Sequence, residues 1–346
     1  MLTAEGCRGR IARFLDRLRP TGPVVLGDPL HLIYFADAYW DPFSLGADFG
    51  GRLQIDPDGK TTLQYDSRSP KSVDAAFADA REITKWYDGQ SPGRGSRRWI
   101  GGTAPGTPPE IDSIIDDMRR SKDPDELDSL RRCMRVTEAG QAWARANVRP
   151  EMTELDVYAG IVAECTKAAG HAVIVYGDFA VSPGSAKRGG AATDRVVRAG
   201  ETLILDFSVV IRGYRSDFTN TLVVGAEPTA EQRRLFNLCA AAMAAGEAEL
   251  KIGAKCQTVY DAVRGIFEGA GVANHFPHHA GHGLGLSHPE APFFVRHATE
   301  TLVEGDVVTL EPGLYVDGVG GIRIENNYAI TTTGYERLSH HTIALD

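Results

Sequence analysis

Four of the ten histidines in this 346-residue chain fall within "HHAGHGLGLSHPEAP" (278–292), among glycines at 281, 283 and 285 and prolines at 289 and 292. Imidazoles in that setting suit a metal site, a nucleophile relay or a polar loop, and the position of the carboxylates decides between them. "LILDFSVVIRGYRSDFTNTLVV" reads as two strands around a tight turn at Arg212 and Gly213. That register sets Asp206 and Asp217 diagonal to one another on one face. "GDVVTLE" and "GGIRIENNYAI" present Glu311 and Glu325 in the same way. An aspartate ending an apolar run is costly to bury unless it is paired or binds a metal, and two on one face repel; a cation relieves both costs.

Taken singly these residues say little. A strand-end Asp is ordinarily a turn or capping residue, and a His in a Gly-rich loop is ordinarily exposed or hydrogen-bonded. The joint pattern of a Dx10D pair, a Glu pair fourteen residues apart and an intervening "GHG" is far more specific. Four acids and one imidazole suit Mn²⁺, Co²⁺ or Fe²⁺, and Zn²⁺ less exclusively, while acids able to bridge suit two ions about 3.5 to 4 Å apart. The chemistry this predicts is hydrolysis by a metal-bound hydroxide.

The elements that must position these groups follow from periodicity. The first third has an amphipathic helix at the N-terminus and short strand-like runs, "PVVLG", "HLIYFA", "GRLQI" and "TTLQY", as expected of a small α/β domain. A breaker-rich segment, 88–110, reads as a connection containing one edge strand, and the domain boundary is placed near 120. Asp123, Pro124 and Glu126 then open a helix of about 24 residues. A second helix starts at Thr153 and Asp156 and stops at Gly170, and two more are predicted at 229–250 and 256–269. "DVYAGIVAECTKAAG" echoes "TVYDAVRGIFEGAG", each ahead of a strand pair, which implies a duplicated unit of about 100 residues.

Composition narrows the class. A formal charge of −9 with no basic stripe disfavours nucleic acid and anionic membranes as partners. Five scattered cysteines without a CxxC fit a reducing cytoplasm and neither a disulfide framework nor a thiolate zinc site. No run reaches the length of a membrane span, and the N-terminus lacks an apolar signal core.

Residues from about 120 to 346 resemble the pita-bread metallopeptidase family, which includes methionine aminopeptidase, aminopeptidase P and prolidase together with the non-metal enzyme creatinase. "KDPDELDSLRRC" and "RPEMTELDV" carry the resemblance, followed by "ILDFSVVIRGYRSDFTNTLVVG", "GHGLGLSHPEAP", "LEPGLYV" and "GIRIENN". The first third, through "HLIYFADAY", is similar to a creatinase-type N-terminal domain, which points to the proline-specific branch. The resemblance implies an α+β chain, with a creatinase-like α/β domain at 1–120 and a pita-bread metallohydrolase domain at 121–346. It puts the family's metal ligands at Asp206, Asp217, His282, Glu311 and Glu325, with Glu311 as a metal-linked general base. His278 matches an accessory His of the proline-specific branch, and Arg323 is a candidate for a charged substrate end. His275 and His279 have no assigned role and are expected to be solvated or to sit behind the ligands.

Two positions depart from the family. The His of "SALPHxxPTDR", which contacts substrate, falls on Gly189 in "SAKRGGAATDR", and the His expected seven residues after the ligand His falls on Pro289. His288 sits one residue early, where an altered backbone at Pro289 would deliver it to substrate alongside His278. Lys187 or Arg188 could supply a cation beside the gap, although solvated loop charges are the more ordinary reading of both. The expectation is a cytoplasmic, homodimeric Xaa-Pro aminopeptidase or dipeptidase with two divalent ions, Mn or Co first and Zn or Fe next, acting through a metal-bridging hydroxide on a short proline-containing peptide. The alternatives are an amidohydrolase of a small cyclic or modified amino-acid derivative, a metal-free creatinase-like enzyme, and a non-catalytic binding protein.

Overall fold

The computed structural model describes residues 1–85 and 108–346. They form two compact units, one of Met1–Arg119 with Asp123–Ser129 and one of Arg120–Lys122 with Leu130–Asp346.

In the first unit, helix α1 (Ala4–Leu18) starts where the Thr3 hydroxyl accepts from the Gly6 amide, and it buries Cys7, Ile11 and Phe14 at helical spacing. Strands β1 (Val24–Leu26), β2 (Gly51–Ile55) and β3 (Thr61–Asp66) pair antiparallel, and β4 (Ala80–Thr84) joins β3 in parallel. "HLIYFA", read as a strand from its apolar run, is instead part of helix α2 (Pro29–Ala36). Asp28 accepts from the Leu30 amide and Pro29 takes the first helical position, while burial of every residue from His31 to Ala36 erases the period that distinguishes helix from strand. Helix α3 (Pro109–Arg120) begins at the end of the segment read as a connection, with Glu110 and Asp112 in its first turn and Ile115, Met118 and Arg119 buried. The edge strand expected within 88–110 falls on residues that, up to 107, lie outside those described.

The long helix α4 (Pro124–Asn147) opens as its sequence predicts, with the Asp123 amide donating to Glu126 Oε2 at 3.0 Å. In the second unit α5 (Glu154–Ala169) has a full capping box between Thr153 and Asp156 and ends on Gly170 at φ +76°. Next come β5 (Ile174–Asp178), β6 (Thr202–Ile211), β7 (Tyr214–Arg215) and β8 (Phe218–Val223), with β6 pairing to all three others. Arg212 and Gly213, at φ +49° and +88°, make the tight turn between β6 and β7.

The order of two helices and then paired strands recurs. Helices α6 (Ala230–Glu247) and α7 (Cys256–Gly269) precede β9 (Gly281–Gly283), β10 (Glu290–Phe294), β11 (Val307–Leu310), β12 (Gly313–Val316), β13 (Gly320–Arg323), β14 (Asn326–Thr331) and β15 (Gly334–Arg337). The sheet order is β10-β9-β11-β14-β15, and β12 pairs with β13. Leu235 and Cys239 of α6 and Val259, Val263 and Phe267 of α7 share one core with Val308, Leu310, Leu314, Ile322 and Tyr328 of these strands. Each fully buried aliphatic or aromatic side chain there contributes about 1.5–3 kcal/mol, which fixes the strands that carry the acids.

All five cysteines are buried and unpaired as disulfides. Burial pushes the Cys7 thiol up to about 11 and those of Cys133, Cys165 and Cys256 up to about 12. Among the described residues no helix is long and apolar enough to cross a membrane.

Candidate metal centre

Within the second unit, β6 and β8 place the first two acids. Asp206 pairs with Thr219 and Phe207 with Phe218, so Asp217, just before β8, is diagonal to Asp206 as the spacing predicts. The second pair is arranged differently from the first. Leu310 faces Asn326 in one ladder and Gly313 faces Arg323 in the next, the same register on either side of a gap. Glu311 and Glu325 therefore occupy facing positions in that gap. Backbone bonds lock it: Glu311 N donates to Ala280 O at 2.9 Å and Glu325 N donates to Thr219 O at 3.1 Å.

β9 supplies the imidazole. His282 Nδ1 lies 2.9 Å from the Gly283 carbonyl, which requires the proton on Nδ1 and leaves the Nε2 lone pair inward. Nε2 is 3.5 Å from both Asp217 Oδ2 and Glu311 Oε1. One oxygen or nitrogen from each of Asp206, Asp217 and Glu325 lies within 4.8 Å of the others, and the same holds for His282, Glu311 and Glu325. The two triads share Glu325.

The donor set fits divalent cations on its own chemistry. Glu325 is 1% exposed, its Oε2 accepts from Thr219 Oγ1 at 2.7 Å, and its buried Oε1 has no hydrogen-bond partner among the described residues. Burial, together with Asp217, Asp206 and Glu311, raises its carboxyl well above the usual range. Burial also raises Asp206, against the opposing Arg323 charge and with help from Asp217, to about 7. A metal-free site therefore holds protons where a cation would remove the repulsion. Glu311 goes the other way. Burial raises it, but the hydrogen bond and charge of His279 outweigh burial and hold it well below the carboxylate range.

The other predicted residues line the same 670 Å³ cavity, which also includes Gly189 and Pro289. His288 Nε2 is 2.7 Å from Asp217 Oδ2; burial lowers its pKa, but Asp217 more than reverses this. His278 Nδ1 is 2.8 Å from the His279 carbonyl and its Nε2 is 3.1 Å from the Tyr315 hydroxyl. Burial lowers His278 to about 4, so it is neutral and accepts from that hydroxyl. Arg323 is 7% exposed and bonds to the chain itself, through Nη2 to Asp178 Oδ2 (2.5 Å) and Asp206 Oδ2 (2.7 Å) and through Nη1 to the Tyr315 hydroxyl (2.8 Å).

Three neighbours carried no such expectation. His279 Nδ1 lies 3.2 Å from Glu311 Oε1. Asp178 faces Asp206 across β5 and β6, and Tyr315 joins His278 to Arg323. The doubled His at 278–279 was a visible signal for the first. The other two depend on strand partners that local spacing does not reveal. His275, on the turn Ala273–His275, is not among the lining residues.

Comparison with known proteins decides the family. Residues 128–332 match metallopeptidase family M24. The chain belongs to this family. An uncharacterised peptidase of Staphylococcus aureus is 29% identical over 238 residues, 67% of this chain, and the chain spans 66% of that relative's length. Among solved structures, the Xaa-Pro dipeptidase from Bacillus anthracis has a TM-score of 0.77 at 22% identity, covering 99% of both chains. The X-Pro aminopeptidase from Thermotoga maritima gives 0.78 at 22%, covering 98% of each. The prolidase from Pyrococcus horikoshii gives 0.76 at 22%, covering 98% of this chain and 99% of its own. The M24 chain shares their fold, α+β, with a pita-bread unit preceded by a smaller creatinase-type unit.

Proposed function

We propose that this M24 protein is a divalent-metal-dependent peptidase that cleaves the amide bond next to proline in a short peptide, with its chemistry in a domain at 121–346 and a creatinase-type domain at 1–120. The observation that carries this reading is the pair of donor triads sharing Glu325. Asp206, Asp217, His282, Glu311 and Glu325 are the ligand set, for two ions of the Mn, Co, Zn or Fe type. Divalent cations held there supply Lewis acidity, toward the scissile carbonyl and toward a water molecule.

The chain's own groups do the rest. Glu311 stays ionised in its histidine surroundings and takes the proton of the attacking water. His288, on the cavity wall and bonded to Asp217, meets the substrate near the reacting carbonyl. His278 lines the same cavity and, through Tyr315, fixes the Arg323 side chain that holds Asp206. In this role Arg323 positions a ligand and bonds no substrate end.

The test is hydrolysis of Xaa-Pro dipeptides and Xaa-Pro-Xaa tripeptides by protein stripped and reloaded with Mn²⁺, Co²⁺ or Zn²⁺, with Glu311→Gln as control. Metal-dependent cleavage absent from the control supports the reading, and the length preference separates dipeptidase from aminopeptidase. Two tightly bound metals with no cleavage of any peptide would favour the second reading, an amidohydrolase of a small modified amino acid. The observation behind that alternative is the wall at Gly189 and Gly190, which has no side chain to define a peptide subsite.

A further inference from the structure

One wall of the cavity is the segment Ala186 to Gly190, where this chain has "AKRGG". Gly189 and Gly190 adopt φ +150° and +129°, conformations that L side chains rarely adopt. An ideal Cβ at Gly189 would lie 2.1 Å from Asp178 Oδ2, and one at Gly190 meets nothing within 4 Å. The wall is therefore built for glycine and leaves open space beside its cations.

Among the described residues, three lysines or arginines line the cavity: Lys187, Arg188 and Arg323. Arg323 is taken up by Asp178, Asp206 and Tyr315. Lys187 Nζ lies 3.6 Å from Oε1 of Glu154, a fully buried carboxylate that also accepts from Val181 N, Thr193 N and Thr193 Oγ1. Arg188 is different. Its side chain is exposed and has no ion-pair or hydrogen-bond partner among the described residues, while its carbonyl accepts from Arg323 Nη1 at 3.4 Å, which fastens the backbone beneath it. A guanidinium presents a planar fork that matches a carboxylate with two parallel hydrogen bonds, and an uncommitted one at the edge of an acidic centre is the cavity's available anion receptor.

We propose that Arg188 is a specificity-determining residue that binds a free carboxylate of the substrate. This rests on the peptidase reading, and the carboxylate can be the C-terminus of a dipeptide or an acidic side chain.

The experiment measures kcat/KM of the metal-loaded enzyme on Ala-Pro against Ala-Pro-amide, and on Glu-Pro-amide against Gln-Pro-amide. Equilibrium binding of the same four compounds is measured in the non-turning Glu311→Gln background. The wild-type residue should favour the acid in one of the two series, and that series identifies the source. Arg188→Gln should lower that acid-to-neutral ratio about tenfold or more, through KM, and Arg188→Lys should keep part of it because an ammonium lacks the fork. The ratio is internal to each variant, so a general loss of activity does not imitate the effect. Ratios unchanged by Arg188→Gln in both series, in turnover and in binding, would overturn the proposal. If no compound is cleaved but an Arg188-dependent acid preference persists in binding, the carboxylate receptor stands and the peptidase reading falls.

Discussion

The floor of the cavity and its wall follow opposite rules. On the floor, Asp217, His282 and Glu311, and Glu325 beside them, are nearly buried and held by ladder registers and backbone bonds. A change of type at any of them leaves the others with uncompensated charge. The wall at 186–190 is open, has two glycines at positive φ, and carries in Arg188 a cation without a partner among the described residues. A site that keeps its floor and rebuilds its wall keeps its reaction class and changes its choice of substrate.

The largest expected effect is on the floor. Glu311→Gln should lower turnover by about 10²- to 10⁴-fold with metal content largely retained, measured by steady-state kinetics beside elemental analysis. Turnover that survives undiminished would remove Glu311 as the base and erase the contrast.

A second test uses pH. In the metal-free protein Asp206 is raised from 3.8 to about 7, so between those values the folded chain holds a proton that the unfolded chain releases. That contribution to stability is fully present below about 3.8 and is lost as pH rises through about 7; Glu325 is shifted in the same direction. The Tm of stripped protein should fall between pH 5 and pH 8, and the rise in Tm on adding Mn²⁺ should be larger at pH 8. A metal-induced shift independent of pH would mean that these carboxyls do not exchange protons for the cation.

The wall should respond more weakly. Gly189→His should fail to raise activity and should cost about 1–3 kcal/mol in denaturant unfolding, because its Cβ meets Asp178 and its φ is +150°. Gly190→Ala, with φ +129° and no neighbour, should cost about 1 kcal/mol. Gain of activity at full stability in Gly189→His would show a wall that has merely lost a side chain.

Legibility in the sequence follows the same division. The β6–β8 hairpin could be read because turn and strands are contiguous, so register follows from counting between Asp206 and Asp217. Helices α4 to α6 could be read from capping residues and their period, and α7 without a capping residue. Helix α2 could not, because uniform burial hides the period, and α3 was obscured by the breakers ahead of it. Asp178 and Tyr315 join the centre through strand pairings and an arginine more than a hundred residues from Asp178, which no local pattern encodes. The facing rather than diagonal arrangement of Glu311 and Glu325 depends on the break between two ladders, and spacing alone does not mark it.

The buried cysteines turn the chain into its own opening gauge. In the folded state their thiols are sealed and too weakly acidic to react with a maleimide near neutral pH. Labelling therefore counts excursions from the native state. Cys7 belongs to the first unit and Cys133, Cys165, Cys239 and Cys256 to the second, so mass spectrometry of labelled peptides would time the breathing of each unit separately in one unmodified sample.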